Sequence, residues 1–531
     1  MRSAWLGRVP YDTATALQEQ LVYGKILNAQ HGISEPEDTL LLLEHEPVYT
    51  YHQEHDFEIC LREKKDEFWK FVRDKHVAVT RTSRGGKMTY HGPGQLVGYI
   101  IKRLDGPFAR DFVETLARAI VATLAECGVT SQYRDGGVWC GPQKICSFGV
   151  RFVGGRITMH GFALNVTAEP LPYLRRIYPC GAQQSSVTSL ADLGITLPLE
   201  KVANDLSRNI GIAFDETVRA VSPREFGFYP TGKPAWIRTP ASPSTTATRQ
   251  LVKNAELHTV CEEARCPNLN ECWSRGDVTI MILGDTCTRS CGFCAVKTGR
   301  PAAIDWAEPE RTARMVAQIP HSHIVITSVD RDELPDNGSR IWQETIHAVK
   351  KRSPDKTVEV LTPDFKGNDA HILSVLDAGP HVFAHNIETV MRLHRRVRPQ
   401  AKYERSLAVL ALGKKHHRAP IVKSNIMLGF GESEGEVIDT IHDLYEVGVD
   451  ILTITQYLQP TPNHLPVVKY YAPTEFELLK TTAEAMGIPV VVAGSLVRTS
   501  YRAGEAYQLA RERLQECCME PIRTYRTSCP I

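Results

Sequence analysis

Six of the fourteen cysteines fall between residues 261 and 294. Cys261, Cys266 and Cys272 are spaced C-x4-C-x5-C, and Cys287, Cys291 and Cys294 are spaced C-x3-C-x2-C. Structural zinc commonly takes four ligands as two short-spaced cysteine pairs, and neither triad offers two pairs. Disulfides suit small secreted domains, whereas this chain is long and starts without a signal-peptide core. Three thiolates suit a cubane iron–sulfur cluster, with the fourth iron left open for chemistry. Two triads so close together point to two [4Fe-4S] clusters per chain.

The first half carries a second set of reactive groups. Arg84-Gly-Gly-Lys-Met-Thr-Tyr-His91 is a glycine-rich loop ending in a histidine. Lys144 stands between a turn and a strand, and His160-Gly-Phe162 opens another strand. Tyr178-Pro-Cys180-Gly181 puts a cysteine on a tight turn, which exposes its sulfur. A thiol becomes a useful nucleophile when a nearby cation lowers its pKa, and Lys144 or a histidine would supply that charge and move the proton. Nothing in the spacing itself brings Lys144 to Cys180, and a buried, inert thiol remains the plain alternative.

The 531 residues imply at least two domains. Apolar residues make up 42% and charged residues 23%, the composition of a globular protein. The net charge of +1 favours no nucleic acid. No apolar run reaches the ~20 residues of a membrane helix. A reducing cytoplasm is the expected compartment, since thiolate-held clusters need one. Up to about residue 230 the pattern is α+β: helices over 14–30, 111–127 and 199–212, and strands over 40–43 and 161–166. Proline and Ser/Thr residues mark 231–249 as a linker or extended arm. From 250 to 531, strands over 278–283, 323–327, 357–361, 382–386, 422–428 and 451–456 alternate with helices. Such alternation predicts a parallel barrel with its chemistry at the C-terminal strand ends, where the second triad lies.

C-x3-C-x2-C with Phe293 before its last cysteine resembles the radical S-adenosylmethionine (SAM) superfamily. Leu257-His-Thr-Val-Cys-Glu-Glu-Ala-Arg-Cys-Pro-Asn-Leu-Asn-Glu-Cys-Trp273 resembles the auxiliary-cluster motif of the lipoyl synthases, and Lys233-Pro-Ala-Trp236 their usual start. Arg498-Thr-Ser-Tyr501 resembles their Arg-Ser-Ser-Tyr signature with one change. The resemblance implies an α/β partial (β/α)6 barrel. It implies that Cys287, Cys291 and Cys294 hold the cluster that cleaves SAM to a 5′-deoxyadenosyl radical. Cys261, Cys266 and Cys272 would hold the sulfur-donating cluster, capped by Ser500, or by Thr499 if the family ligand is the first serine. SAM would lie against Phe293, Thr327, Ser328, Asn386, Glu388, Met427 and Gln456. Cys517, Cys518 and Cys529 have no partner pattern and read as incidental.

The first half, with Leu43-Glu-His-Glu-Pro-Val-Tyr-Thr50, resembles the lipoyl(octanoyl) transferases, of biotin/lipoate ligase-like fold. In that family the Pro-Cys-Gly cysteine forms an acyl-thioester and the lysine is its acid/base partner, here Cys180 and Lys144. Arg84, Gly85, Gly86, Lys87, Met88, Thr89, Tyr90 and His91 would line the acyl pocket with Ser147, Phe148, Gly149, His160, Gly161 and Phe162. His52 replaces a common glycine, and Cys146 replaces an alanine, adding a thiol that competes or oxidises. Together the halves imply octanoyl transfer from octanoyl-acyl carrier protein to a lipoyl-carrier lysine, then sulfur insertion at C6 and C8. The carriers would be 2-oxoacid dehydrogenase E2 subunits and the glycine cleavage H protein, and the reductant ferredoxin or flavodoxin. The alternative is another radical SAM sulfur-inserting enzyme, such as a biotin synthase or methylthiotransferase, fused to a non-catalytic carrier-binding or ligase-like domain.

Overall fold

The computed structural model describes all residues except 29–35, 105–108, 179–185, 230–232, 238–244, 419 and 520–531. The chain divides into two compact units, the first running Met1–Gly232 and the second starting at Lys233.

The first unit is built on strands β1 (Arg2–Val9), β2 (Thr39–His45), β3 (Val48–Tyr51), β4 (Ala78–Arg81), β5 (Thr89–His91), β6 (Gln95–Ile101), β7 (Gln132–Arg134), β8 (Gly137–Cys140), β9 (Gln143–Val153), β10 (Ile157–Asn165), β11 (Ser186–Val187) and β12 (Arg219–Ala220). The large mixed sheet has the order β12-β1-β2-β6-β10-β9-β8-β7, with β11 beside β9, and β4-β3-β5 form a smaller sheet. The leucine run of β2 has a physical cause: Leu40–Leu43 are all buried, so both faces of this strand are covered. Leu40 and Leu42 pack with Phe112, Leu116 and Leu124 of the helix Ala109–Glu126 and with Leu206 and Ile210 of the helix Leu199–Phe214. The predicted first helix starts earlier than its apolar spacing suggests, at Tyr11, because Pro10 pre-sets its entry.

In the second unit β13 (His258–Thr259) pairs antiparallel with β14 (Thr279–Ile282), and β15 (Thr286–Cys287) pairs with β16 (Lys297–Thr298). β17 (His323–Ser328), β18 (Thr357–Leu361), β19 (Val382–Ala384), β20 (Ile421–Leu428), β21 (Ile451–Gln456) and β22 (Val490–Gly494) continue from β14 in sequence order, each parallel to the last. Six of these seven parallel strands are the ones that the alternation predicts. β22 is the addition, a short apolar stretch that brings residues 495–501 back to the cysteines. The helix Thr246–Ala255 begins inside the stretch expected as linker, and Thr248 Oγ1 donates to the Trp273 carbonyl at 2.7 Å.

Candidate active sites

In the first unit, one pocket is lined by Arg84, Thr89, His91, Val97, Tyr99, Ser147, Phe148, Gly149, His160, Gly161, Phe162 and Ala163. Sheet register explains the grouping: Phe162 pairs with Phe148, and Gly161 pairs with Gly149 and Tyr99. Arg84 is buried, and its guanidinium gives Nη2–H to the Thr50 carbonyl at 2.9 Å and Nη1–H to the Gly85 carbonyl at 3.0 Å. Among the described residues no carboxylate neutralises it. His45 Nδ1 faces the Val9 carbonyl at 2.8 Å, which can only accept, so Nδ1 carries the proton and Nε2 accepts from Tyr99 O–H at 2.6 Å. Burial lowers His45 to about 4 and His160 to about 3, so both are neutral near pH 7.

Five residues predicted for this pocket lie outside its lining. Thr89 and His91 face it, and the two-residue strand period turns Met88 and Tyr90 into the opposite core, where Tyr90 stacks on Tyr173 at 4.4 Å. Gly85, Gly86 and Lys87 are exposed. Cys146 is corrected as a competing thiol: it is 1% exposed in the main core, and burial pushes it up to about 12.

Lys144 is 3% exposed on β9. Among the described residues its ammonium has no hydrogen-bond or ion-pair partner, and Trp139 lies across the strand with its ring centroid 5.7 Å from Nζ. Cys180 lies outside the described residues. The chain enters that stretch from Tyr178, whose N–H donates to the Cys60 carbonyl at 2.6 Å, and leaves it at β11, where Ser186 pairs with Gln143 and Val187 with Lys144.

In the second unit, Cys261 sits on the helical turn Val260–Glu263 and Cys272 on the helix Leu269–Arg275, with Cys266 on the turn between them. These three thiols share one pocket with Arg498, Ser500 and Tyr501. Thr279 Oγ1 donates to Ser500 Oγ at 2.8 Å. Thr499 is outside that lining, and its hydroxyl accepts from Asn386 Nδ2 at 3.1 Å. Burial, with Cys266 and Cys261 beside it, pushes Cys272 up to about 12. Cys261, Cys266, Cys272, Cys287, Cys291 and Cys294 are all free. One buried and two half-buried thiols, grouped with a hydroxyl, are a donor set whose ionisation a bound metal would favour, so these residues fit an iron–sulfur cluster.

The second triad follows β14, and its loop is tied on several sides. Gly292 N–H donates to the Val397 carbonyl at 2.9 Å, its carbonyl accepts from Leu465 N–H at 2.9 Å, and His464 Nε2 meets the Cys294 carbonyl at 3.0 Å. Arg289 sits within the triad and bonds Asp332 at 2.7 Å and Asp364 at 2.6 Å. Burial pushes Cys291 up to about 12 and Cys294 to about 11, a second set of thiols that fits a cluster.

The stretches predicted to face SAM lie at strand ends. Phe293 packs 6.4 Å from Phe430, Thr327 Oγ1 donates to the Leu361 carbonyl at 3.0 Å, and the Ser328 hydroxyl is buried without a hydrogen-bond partner among the described residues. Asn386 Nδ2 donates to Glu388 Oε1 at 2.9 Å, and Met427 is half-buried. Gln456 is the exception. Its Nε2 meets the carbonyls of Leu428, Tyr457 and Lys469, each at 3.1 Å, and its Oε1 accepts from Tyr471 N–H at 2.9 Å. Its N–H groups are engaged within the protein, so Gln456 clamps the loop after β21.

Two family models match the chain: the lipoyl protein ligase A/B catalytic domain over residues 10–211 and the radical SAM superfamily over residues 281–444. The lipoyl synthase of Rubrobacter xylanophilus is 52% identical over 282 residues, covering 53% of this chain and 88% of that protein. The chain belongs to the lipoyl synthase family. The mitochondrial lipoyl synthase of Nematostella vectensis is 50% identical over 273 residues, covering 51% of this chain and 94% of that protein. The lipoyl synthase half therefore uses SAM and iron–sulfur chemistry, and the ligase/transferase-type half makes the chain a bifunctional enzyme of lipoate biosynthesis. The biotin synthase and methylthiotransferase readings are not favoured. Among the described residues no helix is long and apolar enough to cross a membrane. Arg289, Thr279 and His464 were missed in the sequence because each acts through a partner remote in the chain, and Gly137 and Trp139 because their contact with Lys144 depends on a hairpin register.

Proposed function

We propose that the two halves act in turn on one carrier lysine, first octanoylating it and then inserting sulfur at C6 and C8. The observation that carries this reading is the presence, in one chain, of a pocket lined by β9 and β10, a buried lysine on that same β9, and two separate sets of three free thiols. In the first step the Cys180 thiolate attacks the thioester carbonyl of octanoyl-acyl carrier protein, and the carrier thiol leaves. Lys144 supplies the charge that favours the thiolate and gives the departing sulfur its proton. The amine of a lipoyl-carrier lysine then attacks octanoyl-Cys180, Lys144 takes the amine's proton, and the sulfur leaves as the amide forms. Support for this pairing is the chain path: Cys180 stands six residues before Ser186, whose strand lies beside Lys144.

In the second half, Cys287, Cys291 and Cys294 would hold one cluster, and Cys261, Cys266 and Cys272 with Ser500 another. When bound, the first supplies an electron for radical formation from SAM and the second supplies sulfide. Phe293, Thr327, Ser328, Asn386, Glu388 and Met427 would orient SAM. Arg289, His464 and Val397 hold the second triad's loop rigid from different sides. The carriers in this reading are E2 lipoyl domains and the H protein, the reductant is ferredoxin or flavodoxin, and the compartment is the cytoplasm, which keeps the thiols reduced.

Iron and sulfide analysis of anaerobically reconstituted protein tests the second half. Two cubanes give about eight irons per chain, falling to about four when Cys261, Cys266 and Cys272 become alanine. About four in the intact chain would remove the sulfur-donating site. Full octanoyl transfer by Cys180→Ala would remove the proposed nucleophile.

A further inference from the structure

The loop after β22 is anchored to the first cysteine site on one side and to Asn386 on the other, through adjacent residues. On one side, Asn268 and Glu271, which lie between cysteines of the first triad, bind it: Asn268 Nδ2 donates to the Leu496 carbonyl, and Tyr501 O–H donates to Glu271 Oε1 at 2.9 Å. Ser500 lines the pocket of that triad. One residue earlier, Thr499 turns the other way, to Asn386 Nδ2 at 3.1 Å.

Asn386 belongs to a tightly defined group. Its amide also donates to Glu388 Oε1 at 2.9 Å, and Asn425 Nδ2 donates to Glu388 Oε2 at 3.0 Å. Glu388 is held at φ +67°, in the left-handed region, with its N–H on the Asn425 carbonyl at 2.9 Å and its carbonyl taking Met427 N–H at 2.8 Å. A non-glycine residue stays in that conformation only where its surroundings over-determine it. A carboxylate accepts and cannot donate, so Glu388 fixes which way the Asn386 amide faces. That leaves Asn386 Oδ1 buried with no hydrogen-bond partner among the described residues. A buried acceptor without a donor is costly, and a ligand that brings an N–H or O–H to it recovers that cost.

We propose that Thr499 is a positioning residue through which a ligand at Asn386 controls how firmly Ser500 is held against the first triad. This rests on the reading that Asn386 faces SAM and that the first triad holds a cluster. A donor on Asn386 Oδ1 immobilises the amide, its N–H holds Thr499, and Ser500 is covalently next in the chain. Ser500 is then kept in place while SAM is bound and released more easily after SAM is consumed. That order delays opening of the sulfur source until radical formation has begun. The coupling is reciprocal, so loss of the Ser500 hydroxyl also weakens SAM binding.

The test is the rate of iron loss to a chelator from reconstituted full-length protein, without reductant, with and without saturating SAM. The first triad's phase is the one missing from the Cys261, Cys266, Cys272→Ala triple variant. SAM is expected to slow that phase ~10-fold. Thr499→Val should abolish the slowing while iron content stays at about eight, and Thr499→Ser, which keeps the hydroxyl, should retain it. SAM dependence that survives in Thr499→Val, or that Thr499→Ser loses equally, overturns the proposal, as does a wild-type phase indifferent to SAM. About four irons in the intact chain overturns the cluster reading itself and the proposal with it.

Discussion

A methyl group on Gly137 would lie 2.2 Å from Cε of Lys144 and 2.7 Å from the Cys146 carbonyl. The glycine is the space that the Lys144 side chain occupies, on a strand where any other residue would push the lysine aside. Trp139, two residues on, covers the same side chain from its ring face. Gly137→Ala should therefore displace the ammonium without touching the second half. Octanoyl transfer should fall ~100-fold, the low end of what a lost acid/base contributes, and iron content should stay unchanged. Transfer at the wild-type rate would mean that Lys144 need not occupy its present position.

How far the sequence led is clear from such residues. The grouping of the cysteines was legible because each triad is local, within a dozen residues. The strands of the barrel were legible because buried parallel strands are continuous apolar runs. Gly137 was not, because its contact with Lys144 depends on cross-strand pairing with a register shift between Val138 and Trp139. The different placing of Thr499 and Ser500 was equally hidden. Adjacent loop residues point to different sides, and only the fold says which side holds the cysteines. Gln456 was correctly taken as a strand-end residue, but the direction of its amide is set by Tyr471 and Lys469, which no local pattern announces.

Cys146 and Lys144 are two residues apart on β9, yet the thiol should be inert. Burial pushes it up to about 12, so almost none is thiolate at pH 8. Brief iodoacetamide treatment of the folded chain, followed by peptide mapping, should leave Cys146 unlabelled. Cys146→Ala should keep full transfer activity, since a small apolar side chain replaces a small buried one. Rapid labelling of Cys146 would show that the core opens around it.

The buried histidines should make the first unit sensitive to acid. His45 and His160 titrate at about 4 and about 3 when folded, and burial also holds His91 well below its ordinary value. Unfolded histidine binds its proton near pH 6.5. Between those values the unfolded chain holds more protons, so stability rises with pH there and is lost as pH falls from about 6.5 towards 4. For His45 alone the loss at pH 5 is ~2 kcal/mol. Hydrogen-exchange protection of β2, β6 and β10 in the full chain, corrected for intrinsic rates, should drop between pH 7 and 5. Constant protection across that range would show that these rings are hydrated or paired in solution.

Arg289 ties the second triad to the ends of two barrel strands, and its removal should damage more than stability. Its side chain is 2% exposed, that of Asp364 is 0%, and both bonds to Asp332 are short, at 2.7 and 2.9 Å. Burial alone would raise the Asp364 carboxyl; the Arg289 hydrogen bond and charge reverse this and leave it well below the usual range. Arg289→Met leaves the buried Asp364 carboxylate with Arg405, at 3.1 Å, as its remaining ion-pair partner, and taking one partner from a buried charge is destabilising. The second unit should melt earlier, and iron retention at Cys287, Cys291 and Cys294 should fall because their loop loses its tether. Arg289→Lys keeps the charge but lacks the planar fork that reaches Asp332 and Asp364 together, so it should recover only part of both. The two effects separate in Arg289→Met paired with Asp364→Asn, which removes the carboxylate charge that Arg289 no longer balances. If stability returns there and iron retention does not, Arg289 positions the cysteine loop; if iron returns with stability, its role is confined to holding the barrel together.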